Sequence, residues 1–357
     1  MRSIFLKCLT VMLIALFVVS ALSYEGAWAQ KKFTVAWSIY VGWQPWDYAN
    51  QSGILSRWAD KYGIEIELVR MDYIASVEAF VAKKVDGCVM TNMEALDMPA
   101  ASGVTTTVLI LGDFSNGNDA ALTRGGLDIG DLAGERVSLV ELSVSHYTLV
   151  RGLEMNGMKE SDVVIVNTSD SDIAPAFIAN RDQKAVVTWN PLVMQILQEP
   201  GITKVFDSSQ IPGEILDLMV VRTDVLDENP ELGKALAGAW YEVMHIMSQR
   251  GATANDAMSI MAESAGCSPT EYKMQLKTTA MFYKPQEAVA YMSSEEIKQK
   301  MNYVRTFCFD HGLLGENARS VDEVGIRYPD GTLQGDRNNV QMIFDTSFMQ
   351  LAAEGGL

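Results

Sequence analysis

From residue 33 onward, short apolar runs alternate with stretches of helical period, and this alternation restricts the possible folds more than any other feature. FTVAWSI (33–39) reads as a strand, and the pattern over 45–62 predicts a helix. IEIELVRM (64–71) has period two, while YIASVEAFVAKKV (73–85) places apolar residues three and four apart. CVMTN (88–92) and TTTVLILG (105–112) read as the next strands. The middle of the chain repeats the theme. RVSLVE (136–141) precedes a helix over 145–157 closed by Gly157, and VVIVN (163–167) precedes a helix over 171–180. AVVTW (185–189) and EILDLMVVR (214–222) follow as strands, and the patterns over 229–266 and 293–312 are helical. Signals weaken beyond Gly315, where the tail is expected to wrap the surface. Strands alternating with helices predict an α/β fold of mostly parallel sheets with helices on both faces.

The first residues follow a different logic. Arg2 and Lys7 precede an apolar stretch over 9–22, and Ala27-Trp28-Ala29 offers small residues at the −3 and −1 positions of a cleavage site. That is the pattern of a secretory signal peptide over 1–29, cut before Gln30. Its apolar core is too short for a lasting transmembrane helix, and Cys8 is badly placed for lipid attachment, so a free periplasmic product is expected. Cleavage leaves 328 of the 357 residues. At roughly 150 residues per domain, two domains are expected.

Charge and cysteines narrow the chemistry. Loss of Arg2, Lys7 and Glu25 turns the net charge from −17 to −18, which disfavours nucleic acid and anionic membranes and suits a cationic ligand. The same acidity also suits plain solubility. Cys88, Cys267 and Cys308 allow either one disulfide with a spare thiol or three thiols, and their spacing matches no zinc pattern. His146, His245 and His311 stand apart in sequence, so no metal site is expected. The chain has no Gly-rich phosphate loop and no G-x-S-x-G nucleophile elbow, which removes support for nucleotide and hydrolase chemistry. No cofactor is expected.

AWSIYVGWQPWDYA (36–49) holds three of the seven tryptophans and two tyrosines. Such a cluster at the exit of the first strand is either core or a pocket for something flat.

FTVAWSIYVGWQPWDYANQSGIL resembles the opening of solute-binding proteins of the nitrate/sulfonate/taurine type. The likeness is closer over 131–191, with D-L-A-G-E-R-V, a Ser-rich turn into a helix, V-V-I-V-N, A-P-A-F and A-V-V-T-W-N-P in the family's order and spacing. The Trp-rich opening and T-N-M-E-A-L (91–96) are most similar to binding proteins that accompany urea-carboxylase-type enzymes, which implies a guanidine or urea importer. The resemblance implies a two-lobe type II binding protein with the ligand in the cleft. Lobe one would span 30–112 and 222–357 and lobe two 113–221, closing like a hinge. It also implies a monomer serving the permease and ATPase of an ABC importer.

Ligands of doubly wound sheets sit beyond the carboxyl ends of strands. The candidates there are Tyr40, Trp43 and Trp46 after the first strand, Asn92 and Glu94 after the third, Glu141 and Ser143 after 136–141, Trp189, and Asp217 near the return crossover. Trp37 alternates with Val35 and suits the core, as do Trp58 and Trp240 on helices. His146 is expected as a cap neighbour or solvent residue. A guanidinium ion is flat, carries six N–H donors and has no acceptor, so it calls for carboxylates at its edge and aromatic rings on its face. The Ser143–Ser145 turn would suit an anion, but an acidic residue stands beside it where a basic one would be wanted. Urea, a short amide or amine, and a sulfonate such as taurine are the alternative ligands. A pyrimidine synthase of thiamine biosynthesis shares the implied fold, but such an enzyme uses a cysteine-rich loop this chain lacks. A non-catalytic role is therefore expected.

Overall fold

A computed structural model describes residues 30–315 and 317–357, so the expected signal peptide over 1–29 lies outside the described residues. Strands β1 (Lys31–Trp37), β2 (Ile64–Arg70), β3 (Gly87–Thr91) and β4 (Thr106–Ser115) start the larger sheet. Strands β5 (Ala120–Arg124), β6 (Arg136–Leu139), β7 (Val164–Asn167), β8 (Ala185–Thr188) and β9 (Ile202–Asp207) form a second sheet. The chain then returns to the first sheet through β10 (Leu216–Arg222), β11 (Thr279–Met281), β12 (Gly325–Arg327), β13 (Leu333–Gln334) and β14 (Val340–Phe344). The order is β13-β12-β14-β4-β10-β3-β1-β2 in the nine-stranded sheet, with β11 on β4, and β7-β6-β8-β5-β9 in the five-stranded one.

The parallel pairings expected from the alternation are present, as in β1 with β3 and β6 with both β7 and β8. The short strands β11 and β13 pair antiparallel at β4 and β12, and two longer strands also run the other way. β10 is antiparallel to β3 and β4, and β5 is antiparallel to β8 and β9. Each is the first strand after the chain crosses from one sheet to the other, with no intervening α-helix to reverse its direction. Every residue of β10 is buried, which explains its nearly unbroken apolar sequence.

Three expectations are corrected. The helix over 45–62 is two helices, Gln44–Gln51 and Ile54–Lys61, because Gly53 takes a left-handed conformation (φ 75°) between them. The tail beyond Gly315 does more than wrap the surface: it supplies β12, β13 and β14 and the helix Ser347–Glu354. The strand expected to stop at 112 continues to Ser115, which draws Asp113 into the sheet.

The tryptophans divide as their neighbours dictate. Trp46 is 1% exposed and stacks on Trp240 of the helix Pro230–Ser248, ring centres 5.0 Å apart, so its expected place in the ligand box is corrected to core. Trp37 is buried with Arg70 over its ring, and Trp58 donates its indole N–H to Glu242 at 2.7 Å. All three described cysteines are free thiols.

Candidate functional site

Beyond β1 the chain turns sharply. Gly42 is needed there: a Cβ would fall 2.4 Å from Asp113 Oδ2 and 2.5 Å from the Tyr40 ring. The turn is pinned to the far sheet by Trp189, whose indole donates to the Ile39 carbonyl at 2.9 Å, and by the Val41 N–H bond to the Asn190 carbonyl. This brings four rings into one wall. Tyr40 meets Trp43 at 5.0 Å, Trp43 meets Tyr73 at 5.5 Å, and Tyr73 meets Trp189 edge-on at 5.6 Å. With Thr91, Asp119, Val144 and Asp217 these rings line a tight cavity of about 10 Å³.

The acids make this cavity unusual. Asp217 and Asp113 pair across β10 and β4, Asp119 stands just beyond β4, and all three are buried. Burial pushes Asp113 and Asp119 up to about 7, and burial plus the neighbouring Asp113 charge pushes Asp217 well above the carboxylate range. The Tyr40 hydroxyl donates to Asp113 Oδ1 at 2.9 Å. Asp113 Oδ2 and Asp217 Oδ2 are buried without a hydrogen-bond donor. Among the described residues, the cavity lining contains no lysine, arginine or histidine. Buried acids with no basic group beside them favour their protonated forms.

Of the nine sequence candidates, Tyr40, Trp43, Trp189 and Asp217 line the cavity. The other five do not. Trp46 is core. Asn92 is fully engaged, its amide donating to the Glu214 carbonyl at 3.0 Å and accepting the Leu216 N–H at 2.9 Å, so it fastens the entry to β10. Glu141 is exposed at the surface, because the strand ends at Leu139 and the chain has already turned. Ser143 caps the helix Val144–Met155, accepting the Ser145 N–H and donating to the Val140 carbonyl.

Glu94 stands behind the wall rather than in it. Its Oε2 accepts from the Tyr73 hydroxyl at 2.7 Å and from the Thr91 hydroxyl, and its Oε1 accepts the Val144 N–H at 2.8 Å. Burial raises its pKa, and these three donors oppose the rise. The helix start that would suit an anion is therefore already filled by the protein's own carboxylate.

Tyr73 and Asp119 line the cavity and were missed. Tyr73 opens the helix after β2 and could have been found by applying the strand-end rule to that strand too. Asp119 precedes β5, whose short AALTR gives no strand signal.

The histidines are not isolated. His146 and His311 meet at Glu160, bonded through Nε2 at 3.1 Å and 2.5 Å. His146 is buried, not a solvent residue, and burial lowers its pKa. Its Nδ1 accepts the Leu142 N–H at 3.1 Å, so the ring proton sits on Nε2 and points at Glu160. A metal-bound histidine donates its second nitrogen to an acceptor. His146 does the reverse, so the trio suits hydrogen bonding rather than metal ligation.

Residues 124–254 match the family described as NMT1/THI5 like. Over 111 residues, 30% of this chain, the sequence is 34% identical to the taurine-binding periplasmic protein of Escherichia coli (strain K12). The matched part spans about a third (33%) of that relative's length. Among solved structures, the alkanesulfonate-binding protein SsuA of Xanthomonas axonopodis pv. citri bound to MOPS aligns with a TM-score of 0.67 at 14% identity, over 81% of this chain and 96% of that one. The nitrate-binding protein NrtA of Synechocystis PCC 6803 aligns at 0.64 and 12%, over 92% and 89%. The chain has the two-lobe periplasmic binding protein fold. In this binding-protein fold the cavity lies where the topology rule puts it: beyond the carboxyl ends of β1, β3, β6 and β8. Asp217 comes from the start of β10, as the antiparallel direction of that strand requires.

Proposed function

We propose that the protein is the periplasmic solute-binding component of an ABC importer and captures a small nitrogenous cation, guanidinium before others. It would act as a monomer, binding without transforming its ligand and presenting it to a membrane permease with its ATPase. The lobes 30–112 with 222–357 and 113–221 would close around the ligand by hinge motion. The observation that carries this reading is a set of buried carboxylates, Asp217 and Asp119 with Asp113 behind, facing an aromatic wall with no basic lining residue. A planar cation of a few heavy atoms suits the flat faces of these rings.

Urea is the second reading. Trp43 Nε1 is buried without a partner, and urea offers the carbonyl acceptor that guanidinium lacks. The relatives whose names mention taurine, alkanesulfonate or nitrate bring anions into the comparison. For an anion, the start of helix Val144–Met155 would have to be vacated by Glu94.

Calorimetric titration with guanidinium, urea, taurine and nitrate in parallel tests the proposal. Tight guanidinium binding with weaker urea binding is expected. Tight taurine or nitrate binding overturns the cation reading and makes the Ser143–Ser145 turn the anchor.

A further inference from the structure

We propose that in the empty site Asp113 and Asp217 hold one proton between them, and that a cation entering the cavity displaces it to solvent. Ligand capture would then be an exchange of cation for proton. The inference rests on the cationic reading above and adds what the site does before the ligand arrives.

The geometry carries the argument. Asp113 and Asp217 are Cα partners on adjacent antiparallel strands, where two like charges are unfavourable even in water. Both are almost fully buried, and Gly42 packs so tightly over Asp113 Oδ2 that no Cβ fits between them. Asp113 Oδ2 and Asp217 Oδ2 are both buried without a hydrogen-bond donor, and each carboxyl group acts directly on the other. Two ionised carboxylates have only acceptors, so one proton held between them supplies the donor that both oxygens lack.

The surroundings say which partner keeps it. Tyr40 donates its hydroxyl to Asp113, which favours Asp113 as the ionised member and leaves the proton on Asp217, the one that lines the cavity. The other titratable groups acting on the pair are Asp119, Tyr272 and Tyr283, and Glu94 acts on Asp119. No cation is among them. Acids that raise one another by burial and like charge favour the shared proton over two bare charges.

The exchange is simple to balance. Asp217 loses its proton to water, and the entering cation restores the charge, so the cavity gains no net charge. A guanidinium stays protonated across the accessible pH range, so a proton released on its binding comes from the protein.

Two measurements test this. The first is the infrared carboxylic-acid C=O band of the ligand-free protein at pH 7, wild type against Asp217→Asn. A band lost in the variant is expected, and its absence overturns the inference without reference to any ligand. The second is guanidinium titration calorimetry in two buffers of different ionisation heat, from pH 5 to pH 9. The expected result is nearly one proton released at neutral pH, with affinity rising about tenfold per pH unit on the acid side and levelling off at alkaline pH. Heats and affinities independent of buffer and pH overturn the exchange while leaving the cationic reading intact. Failure of guanidinium to bind overturns both.

Discussion

Glu94 Oε1 accepts the backbone N–H of Val144 at 2.8 Å, joining the end of β3 to the start of the helix that follows β6. One contact thus links the two sheets and places a carboxylate at a helix start, whose free N–H groups are the natural place for an anion.

Glu94→Ala removes the acceptor from three buried donors: the Val144 N–H and the hydroxyls of Tyr73 and Thr91. A loss of about 2–4 kcal/mol is expected in denaturant unfolding. The variant should also gain weak nitrate or sulfate binding, read by tryptophan fluorescence. An unchanged anion response would mean that Glu94 does not guard the helix start.

Trp189→Ala and Trp46→Ala separate pocket from core. Trp189 lines the cavity, and loss of a desolvated cation–π face should weaken guanidinium binding by about 2 kcal/mol, roughly thirtyfold. Trp46, stacked on Trp240, should cost about 3–5 kcal/mol of stability while the folded fraction binds normally. Reversed outcomes in paired titration and unfolding experiments would move the pocket.

Glu141→Gln and Asp217→Asn make a second contrast. Glu141 is exposed, so its change should stay within about 0.5 kcal/mol in both stability and binding. Asp217→Asn should weaken guanidinium binding far more than urea binding, since only the cation loses a charge partner. Equal losses for the two ligands would remove Asp217 from the cation site.

Stability should depend on pH in an unusual direction. Asp113 and Asp119 are raised to about 7 by burial, whereas in the unfolded chain they titrate near ~4. Between those values the folded state binds more protons, so stability falls as pH rises through the window and the loss is complete above it. The ligand-free melting temperature should therefore be higher near pH 5 than near pH 8, by more than about 5 °C. Saturating guanidinium should shrink or reverse that difference in a scanning experiment. A flat ligand-free profile would mean that the acids are ionised throughout.

Of the strand-end candidates, Tyr40, Trp43, Trp189 and Asp217 line the cavity, because strand order and direction follow from the alternation of elements and bring these ends of the sheets together. It picked Glu141 over Asp119 because the exact end of a strand and the turn after it are not encoded in apolar period. It placed Trp46 with the pocket because an aromatic in an α/β chain looks the same in sequence whether it faces a ligand or Trp240. Asn92 and Ser143 lie at strand ends as expected, yet their polar groups are spent on the backbone of β10 and on the helix cap.

By itself the sequence determined the two families of strands, the helices between them and the end of the sheets at which a ligand would sit, since those depend on periodicity and turn chemistry among near neighbours. Only the tertiary structure decided which charges meet. The pairing of Asp113 with Asp217 depends on the register of β4 against β10, and the junction of His311 with Glu160 joins residues 151 positions apart. Such encounters have no local signature. Burial then makes them consequential: away from water, one misplaced carboxylate changes which ligand can bind.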